Sequence, residues 1–72
     1  MSRGYALEAL IALRCDAHKG EWLAIDTLAA SLAVPRERIQ EAGDRLVDAA
    51  MVEHAVADGV HYWGVGVEGV KP

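Results

Sequence analysis

The sequence predicts an α+β domain built from three helices, a short strand and a two-stranded β-hairpin. Three segments carry apolar residues at three- and four-residue steps, which is the pattern of helices that are buried on one side. Pro35 follows the second segment after only two residues and suits the first turn of a third helix. Two helices are therefore joined by a tight turn. Asp58 and Gly59 separate two β-prone segments, and this dipeptide is typical of two-residue hairpin turns.

The composition indicates one domain with a modest core. The chain has 72 residues, of which 53% are hydrophobic, and this content is enough to bury a core. The formal net charge of −4 favours solubility and opposes non-specific attraction to phosphate backbones. Glycine and valine alternate near the carboxyl end, so we expect a domain over residues 1–65 and a flexible tail over residues 66–72.

Cysteine usage and hydropathy indicate a cytoplasmic protein without disulfides. Cys15 is the single cysteine, and the three histidines give no Cys/His metal spacing. No apolar run reaches the roughly 18 residues needed to span a membrane. The N-terminal segment has no small-residue cleavage site, and Glu8 and Arg14 fit an amphipathic helix better than a signal peptide.

The first helix is predicted over residues 4–18 and a brief strand over residues 21–23. Glu8 and Asp16 are expected to face water, Cys15 to be a small packing or half-exposed residue, and Gly20 to stop the helix. Trp22 is expected to pack between the strand and the helices. The apolar stripe expected to face the core consists of Leu7, Leu10, Ile11, Leu13 and Ala17.

The second helix is predicted over residues 24–32 and the third from Pro35 to about Ala50. The third helix directs Ile39, Ala42, Leu46 and Ala50 inward. Gly43 lies beside this stripe and costs roughly 1 kcal/mol relative to alanine, which indicates close packing, expected against the first helix.

The hairpin is predicted from strands over residues 51–57 and 60–63. Because Tyr62 and Trp63 are consecutive in a strand, one should enter the core and the other should be exposed. A two-residue turn at Asp58 and Gly59 sets the cross-strand register. The expected pairs are Ala57 with Val60 and Ala55 with Tyr62 on one face, and Val56 with His61 and His54 with Trp63 on the other.

These segments resemble the winged helix-turn-helix domains of small bacterial transcription regulators and of the biotin repressor. Leu28-Ala29 followed by Leu32 and Val34 is similar to their LA-x-x-L-x-V pattern. The segment over residues 46–52 is similar to L-x-x-A-G-h-V, although Ala50 replaces the usual glycine. YALEALIAL in the first helix is similar to small iron–sulfur-linked repressors of this class. The resemblance covers about residues 5–65.

The resemblance implies a small DNA-binding transcription regulator whose third helix enters the major groove of double-stranded DNA. The candidate DNA contacts are Arg36, Arg38, Gln40, Arg45 and His61, with Lys71 as a further backbone contact. The cysteines that hold a cluster in the iron–sulfur-linked repressors are missing, so no cofactor is expected. The long C-terminal dimerisation helix of many regulators is also missing, so we expect a monomer or weak dimer.

Charge on the third helix indicates an alternative to DNA binding. Glu37, Glu41, Asp44 and Asp48 form one stripe opposite the inward face. Carboxylates beside phosphates are unfavourable, so the alternative is a protein-interaction module that binds a basic surface. Its anchors would be the four acidic residues or the hairpin aromatics Tyr62 and Trp63. A third interpretation is a solvated face with local pairs such as Glu41 with Arg45.

No pattern in the sequence indicates catalysis or metal binding. There is no nucleophile–base pair, glycine-rich phosphate loop or catalytic carboxylate pair, so we do not expect an enzyme. His54 and His61 should lie nearly opposite each other on one hairpin face. With no carboxylate evident beside them, they are expected to be partly exposed residues that protonate near pH 6, without a metal.

Overall fold

The computed structural model describes residues 3–68, and the side chains of residues 7–68. The elements are α1 (Arg3–Ala17), β1 (Leu23–Ala24), α2 (Ile25–Leu32), α3 (Arg36–Asp48), β2 (Glu53–Ala57) and β3 (Val60–Gly64). The predicted α+β class, with three helices and a three-stranded antiparallel sheet, is confirmed. Each boundary lies within two residues of its prediction. None of the helices in this described range is long and apolar enough to cross a membrane.

The sheet has the strand order β1-β3-β2, and its register follows from the hairpin turn. Asp58 and Gly59 have φ angles of 52° and 76°, which is the left-handed conformation that a type I′ turn requires at both positions. All four predicted cross-strand pairs are present. β1 joins the other edge of β3 through Leu23 opposite Trp63 and Ala24 opposite Tyr62. The predicted short strand therefore completes the sheet.

The turn between α2 and α3 orients the third helix. Ala33 ends α2 in the left-handed region, with φ 57°, and the Val34 amide donates a 3.1 Å hydrogen bond to the Ala29 carbonyl. Pro35 then occupies the N-cap of α3, and its carbonyl accepts from Arg38 and Ile39. Proline has no N–H to lose at a helix start, so this position suits it.

The end of α3 corrects one predicted inward residue. Ala50 is exposed, with φ 60°, because it lies beyond the helix in a left-handed C-terminal turn. The Met51 amide bonds to the Leu46 carbonyl and the Ala50 amide to that of Val47, which are the two bonds of a Schellman motif. The positive φ gives the physical reason why glycine would suit position 50.

The core lies between the three helices and one face of the sheet. Its buried residues are Leu7, Ile11, Cys15, Leu23, Ile25, Leu28, Ile39, Ala42, Leu46, Val52 and Trp63. The helix periods predicted Leu7, Ile11, Ile39, Ala42 and Leu46 of this set. Trp22 is half-buried, and its ring lies beside Gly64 rather than in the central cluster.

The inner face of α1 differs from its prediction. Leu7, Ile11 and Cys15 are buried, whereas Leu10 and Leu13 are 46% and 65% exposed and Ala17 is also exposed. The predicted stripe mixed two sides of the helix. α1 packs on α3 and β3 from one side only. Residues spaced four apart on that side are therefore buried, and the other apolar residues face outward.

Gly43 packs against the sheet. A Cβ atom at position 43 would lie 2.5 Å from Cε2 and 2.7 Å from Nε1 of Trp63. The predicted close packing is present, but its partner is the indole ring from β3 and not α1. A side chain larger than hydrogen at position 43 would exclude the ring from its site.

The chain after β3 contacts the segment before β1 on one side and the start of β2 on the other. The Gly20 amide donates a 2.8 Å bond to the Val65 carbonyl, and the Val67 amide donates a 3.2 Å bond to Glu53 Oε1. These contacts fall at the start of the predicted tail. Residues 69–72, which include Lys71, lie outside the described residues.

Candidate interaction surface on α3 and the hairpin

One face of α3 carries four exposed carboxylates at helical spacing. Glu37, Glu41, Asp44 and Asp48 are all exposed, and we call them the acidic stripe. Ile39, Ala42 and Leu46 are buried on the opposite side of the helix. Within residues 7–68, none of the four carboxylates forms an ion pair with a side chain. The stripe therefore presents uncompensated negative charge to solvent.

Two of the three arginines on α3 are held in ion pairs. Arg36 Nε lies 3.0 Å from Asp26 of α2, and Arg45 Nε pairs with the half-buried carboxylate of Glu8 of α1. Arg38 is exposed and has no ion-pair partner in the described part of the chain. The predicted local pair of Glu41 with Arg45 is wrong, as is the expectation that Glu8 faces water freely. Both corrections have one cause, which is the packing of α1 across the end of α3.

A groove of about 530 Å³ separates the first half of α3 from the hairpin tip. Its lining residues are Ile25, Arg36, Glu37, Gln40, Glu41, Gly59 and His61. It thus brings together three candidate DNA contacts, Arg36, Gln40 and His61, with two members of the acidic stripe. Arg38 and Arg45 do not line it. Gln40 Nε2 lies 3.4 Å from Nδ1 of His61, so the hairpin is linked to α3 inside the groove.

The two hairpin histidines contact each other above Trp63. His54 Nε2 lies 2.9 Å from His61 Nδ1, and the ring centroids are 5.1 Å apart with the ring planes inclined by 17°. Both rings also lie against the indole of Trp63, with centroids 5.2 Å and 6.1 Å away. The sequence predicted the shared face. The direct contact was missed, although the diagonal positions across the hairpin were a signal for it.

Burial and the charges of two neighbours shift the pKa of His54. Burial lowers it below its ordinary value of 6.5, the neighbouring His61 lowers it further, and the carboxylate of Asp44 partly opposes both. Asp44 thus acts on His54, although the sequence indicated no carboxylate beside the histidines. Among the described residues, no group of three or more His, Cys, Asp or Glu side chains is arranged to hold a metal ion.

The two hairpin aromatics lie on opposite faces of the sheet, as predicted. Trp63 is fully buried, and its Nε1 has no hydrogen-bond partner within the described residues. Tyr62 is half-buried. Of the two proposed aromatic anchors, Trp63 therefore offers no surface to a partner in this conformation, and only Tyr62 is accessible.

A separate apolar surface covers the outer side of α1. Leu10, Leu13 and Met51 are among the exposed large hydrophobic residues. Two shallow grooves of about 220 and 490 Å³ share Ala9, Ala12 and Met51 in their lining. This surface was not expected, because the predicted inward stripe of α1 included both leucines. The available signal was that α1 carries apolar residues on more than one side.

Comparisons of the chain with models of protein families, with characterised proteins and with solved structures found no match.

Proposed function

We propose that this chain is a winged helix-turn-helix domain that binds a basic protein surface through the acidic stripe of α3. The order of helices and strands, the tight turn at Pro35 and the hairpin after α3 support the winged-helix architecture. The same fold can serve several functions, so the partner has to be inferred from the charges and side chains on the surface.

The observation that carries this proposal is the unequal pairing of charges on α3. Arg36 and Arg45 already pair with Asp26 and Glu8, whereas the four carboxylates of the acidic stripe are exposed and form no ion pair with residues 7–68. A lysine- or arginine-rich partner would gain attraction along the stripe and faster association. A phosphate backbone at the same position would meet repulsion, with a net charge of −4 on the protein behind it.

An NMR titration of the full chain with a lysine- and arginine-rich peptide tests this function. We expect amide shifts that concentrate in residues 37–48, because those residues carry the stripe. The double substitution Glu37→Lys and Asp44→Lys should abolish binding while the fold persists. Both positions are exposed, so the exchange disturbs no buried contact.

A matched control separates the stripe from the overall charge. Glu21→Lys with Glu68→Lys makes the same change in net charge at two exposed positions off α3. We expect this variant to bind the peptide nearly as the unaltered chain does. Equal losses in both variants would mean that net charge, and not the stripe, attracts the peptide.

Duplex DNA is the second candidate partner, and Arg38 is the observation that favours it. Arg38 is exposed near the start of α3 and has no ion-pair partner in the described range, and Arg36 and Gln40 line the groove nearby. An oblique approach from this end would bring these side chains to phosphates or base edges. This is also the function that the sequence resemblance implies.

The two functions predict opposite responses to one variant. Glu37→Lys with Asp44→Lys should strengthen binding to duplex DNA if DNA is the partner, since repulsion is removed. Arg38→Ala should then weaken DNA binding. The slope of log affinity against log salt concentration should become shallower by about one, which corresponds to one lost phosphate contact. Lys19→Ala, an exposed change outside α3, is the control. Absence of binding to duplex DNA at low salt would exclude this second candidate.

A further inference from the structure

The contact between His54 and His61 links the hairpin to α3 through one shared nitrogen. His61 Nδ1 lies 2.9 Å from His54 Nε2 and 3.4 Å from Gln40 Nε2. The amide nitrogen of glutamine only donates hydrogen bonds, so His61 Nδ1 acts as the acceptor. His54 Nε2 then carries a hydrogen and donates to the same atom. This arrangement fits two neutral rings, and it requires only that His61 Nδ1 carries no proton.

A proton on His61 Nδ1 would disturb these contacts. It would remove the acceptor for Gln40, and the bond between the rings would survive only with the donor and acceptor roles of the two rings exchanged. A proton on His54 Nδ1 would keep the bond between the rings but would put a charge on a partly buried ring beside Trp63. Protonation of both rings would set two cations against each other at 5.1 Å.

The groups around the pair come from three elements. Asp44 of α3 attracts a proton to His54, while Arg36, Glu37 and Glu41 line the groove that His61 also lines. The sheet contributes the apolar ring of Trp63, and α2 contributes the apolar Ile25. Burial has the largest effect on the pKa of His54 and lowers it, so the one adjacent carboxylate does not compensate for the lost hydration.

We propose that His54, His61 and Gln40 form a proton-sensitive clasp that holds the hairpin on α3 when both rings are neutral and releases it on acidification. The folded chain disfavours the charged form of His54. Its contribution to stability is therefore fully present above the ordinary histidine value of 6.5 and is lost as the pH falls through the lowered value. The clasp concerns the attachment of the hairpin and does not depend on which partner α3 binds.

Hydrogen exchange on the full chain, followed by NMR between pH 8 and pH 5, tests the clasp directly. After correction for intrinsic exchange rates, the hairpin amides of residues 53–64 should lose protection severalfold as the pH falls. The amides of α1 should lose much less.

Two variants isolate the histidine pair. The double substitution His54→Gln and His61→Asn places neutral side-chain amides near the positions of His54 Nε2 and His61 Nδ1. These amides do not take up a proton, so the hairpin should keep its protection at pH 5. His18→Gln removes the exposed histidine and should retain the full pH response. Loss of hairpin protection to the same extent in the double variant would overturn the clasp.

A measurement without substitutions covers the case in which the double variant does not fold. In the unaltered chain, hairpin protection that persists at pH 5 would overturn the clasp. So would a His54 resonance that titrates at or above the ordinary histidine value of 6.5 while the hairpin opens.

Discussion

The indole ring of Trp63 lies against the backbone of Gly43, so close that a Cβ atom at position 43 would be 2.5 Å from Cε2 of the ring. This contact packs β3 against α3 through the fully buried side chain of Trp63. The histidine pair lies on the same indole. The glycine therefore sets how closely the hairpin approaches the helix that carries the acidic stripe.

Gly43→Ala should destabilise the domain, although alanine is the better helix former. Overpacking against a rigid ring costs about 1–3 kcal/mol, while the gain in helix propensity is about 1 kcal/mol. Denaturant unfolding of the single variant, and of the same change in a Trp63→Phe background, measures the difference. The smaller ring should relieve the clash, so stabilisation by Gly43→Ala in both backgrounds would contradict the contact.

Ile11→Ala and Leu13→Ala should differ strongly in cost, although both residues lie in α1. Ile11 is fully buried, so truncation should lower the free energy of unfolding by about 2–5 kcal/mol. Leu13 is 65% exposed, and its truncation should change that energy by about 0.5 kcal/mol or less. Thermal or denaturant unfolding of the pair checks which side of the helix faces the core. Similar costs for the two would mean that α1 is rotated.

The thiol of Cys15 should be unreactive in the folded chain. Burial raises the pKa of Cys15 from 9.0 to about 11, which reduces the thiolate fraction at pH 8 about a hundredfold. Iodoacetamide should therefore label the native chain far more slowly than the unfolded chain. Fast labelling under native conditions would show that the core opens readily at α1.

The raised thiol pKa also predicts a loss of stability in alkali. The unfolded chain ionises first, so the contribution of the neutral thiol is present below pH 9 and is lost as the pH rises towards about 11. Free energies of unfolding measured across this range should decline less in Cys15→Ala. An equal decline would assign the effect to other groups.

The ion pair of Glu8 with Arg45 should contribute modestly and depend on salt. Glu8 is 23% exposed and Arg45 50% exposed, so a double-mutant cycle with Glu8→Gln and Arg45→Gln should give a coupling of about 0.5–1 kcal/mol at low salt. The same cycle on Asp26 and Arg36, which are 70% and 66% exposed, should give a coupling closer to zero. Equal couplings would contradict the partial burial of Glu8.

Several features of this chain were predictable because they depend on local chemistry. Asp58 and Gly59 favour positive φ angles, so the turn and the register of β2 with β3 follow from two residues. Pro35 fixes the start of α3 for a similar reason. The 3.6-residue period of the helix then determines that Glu37 and its three acidic companions share one face, whatever packs on the other.

Local chemistry thus accounts for the elements, the hairpin register and the acidic stripe, whereas packing between elements selects which groups from different elements meet. A helical period gives the angle of a side chain about its own axis, but it does not say which other element packs beside it. Only the approach of α1 to α3 pairs Arg45 with Glu8 and leaves Leu13 exposed. Only the packing of the sheet on α3 brings Trp63 to Gly43 and sets His61 beside Gln40.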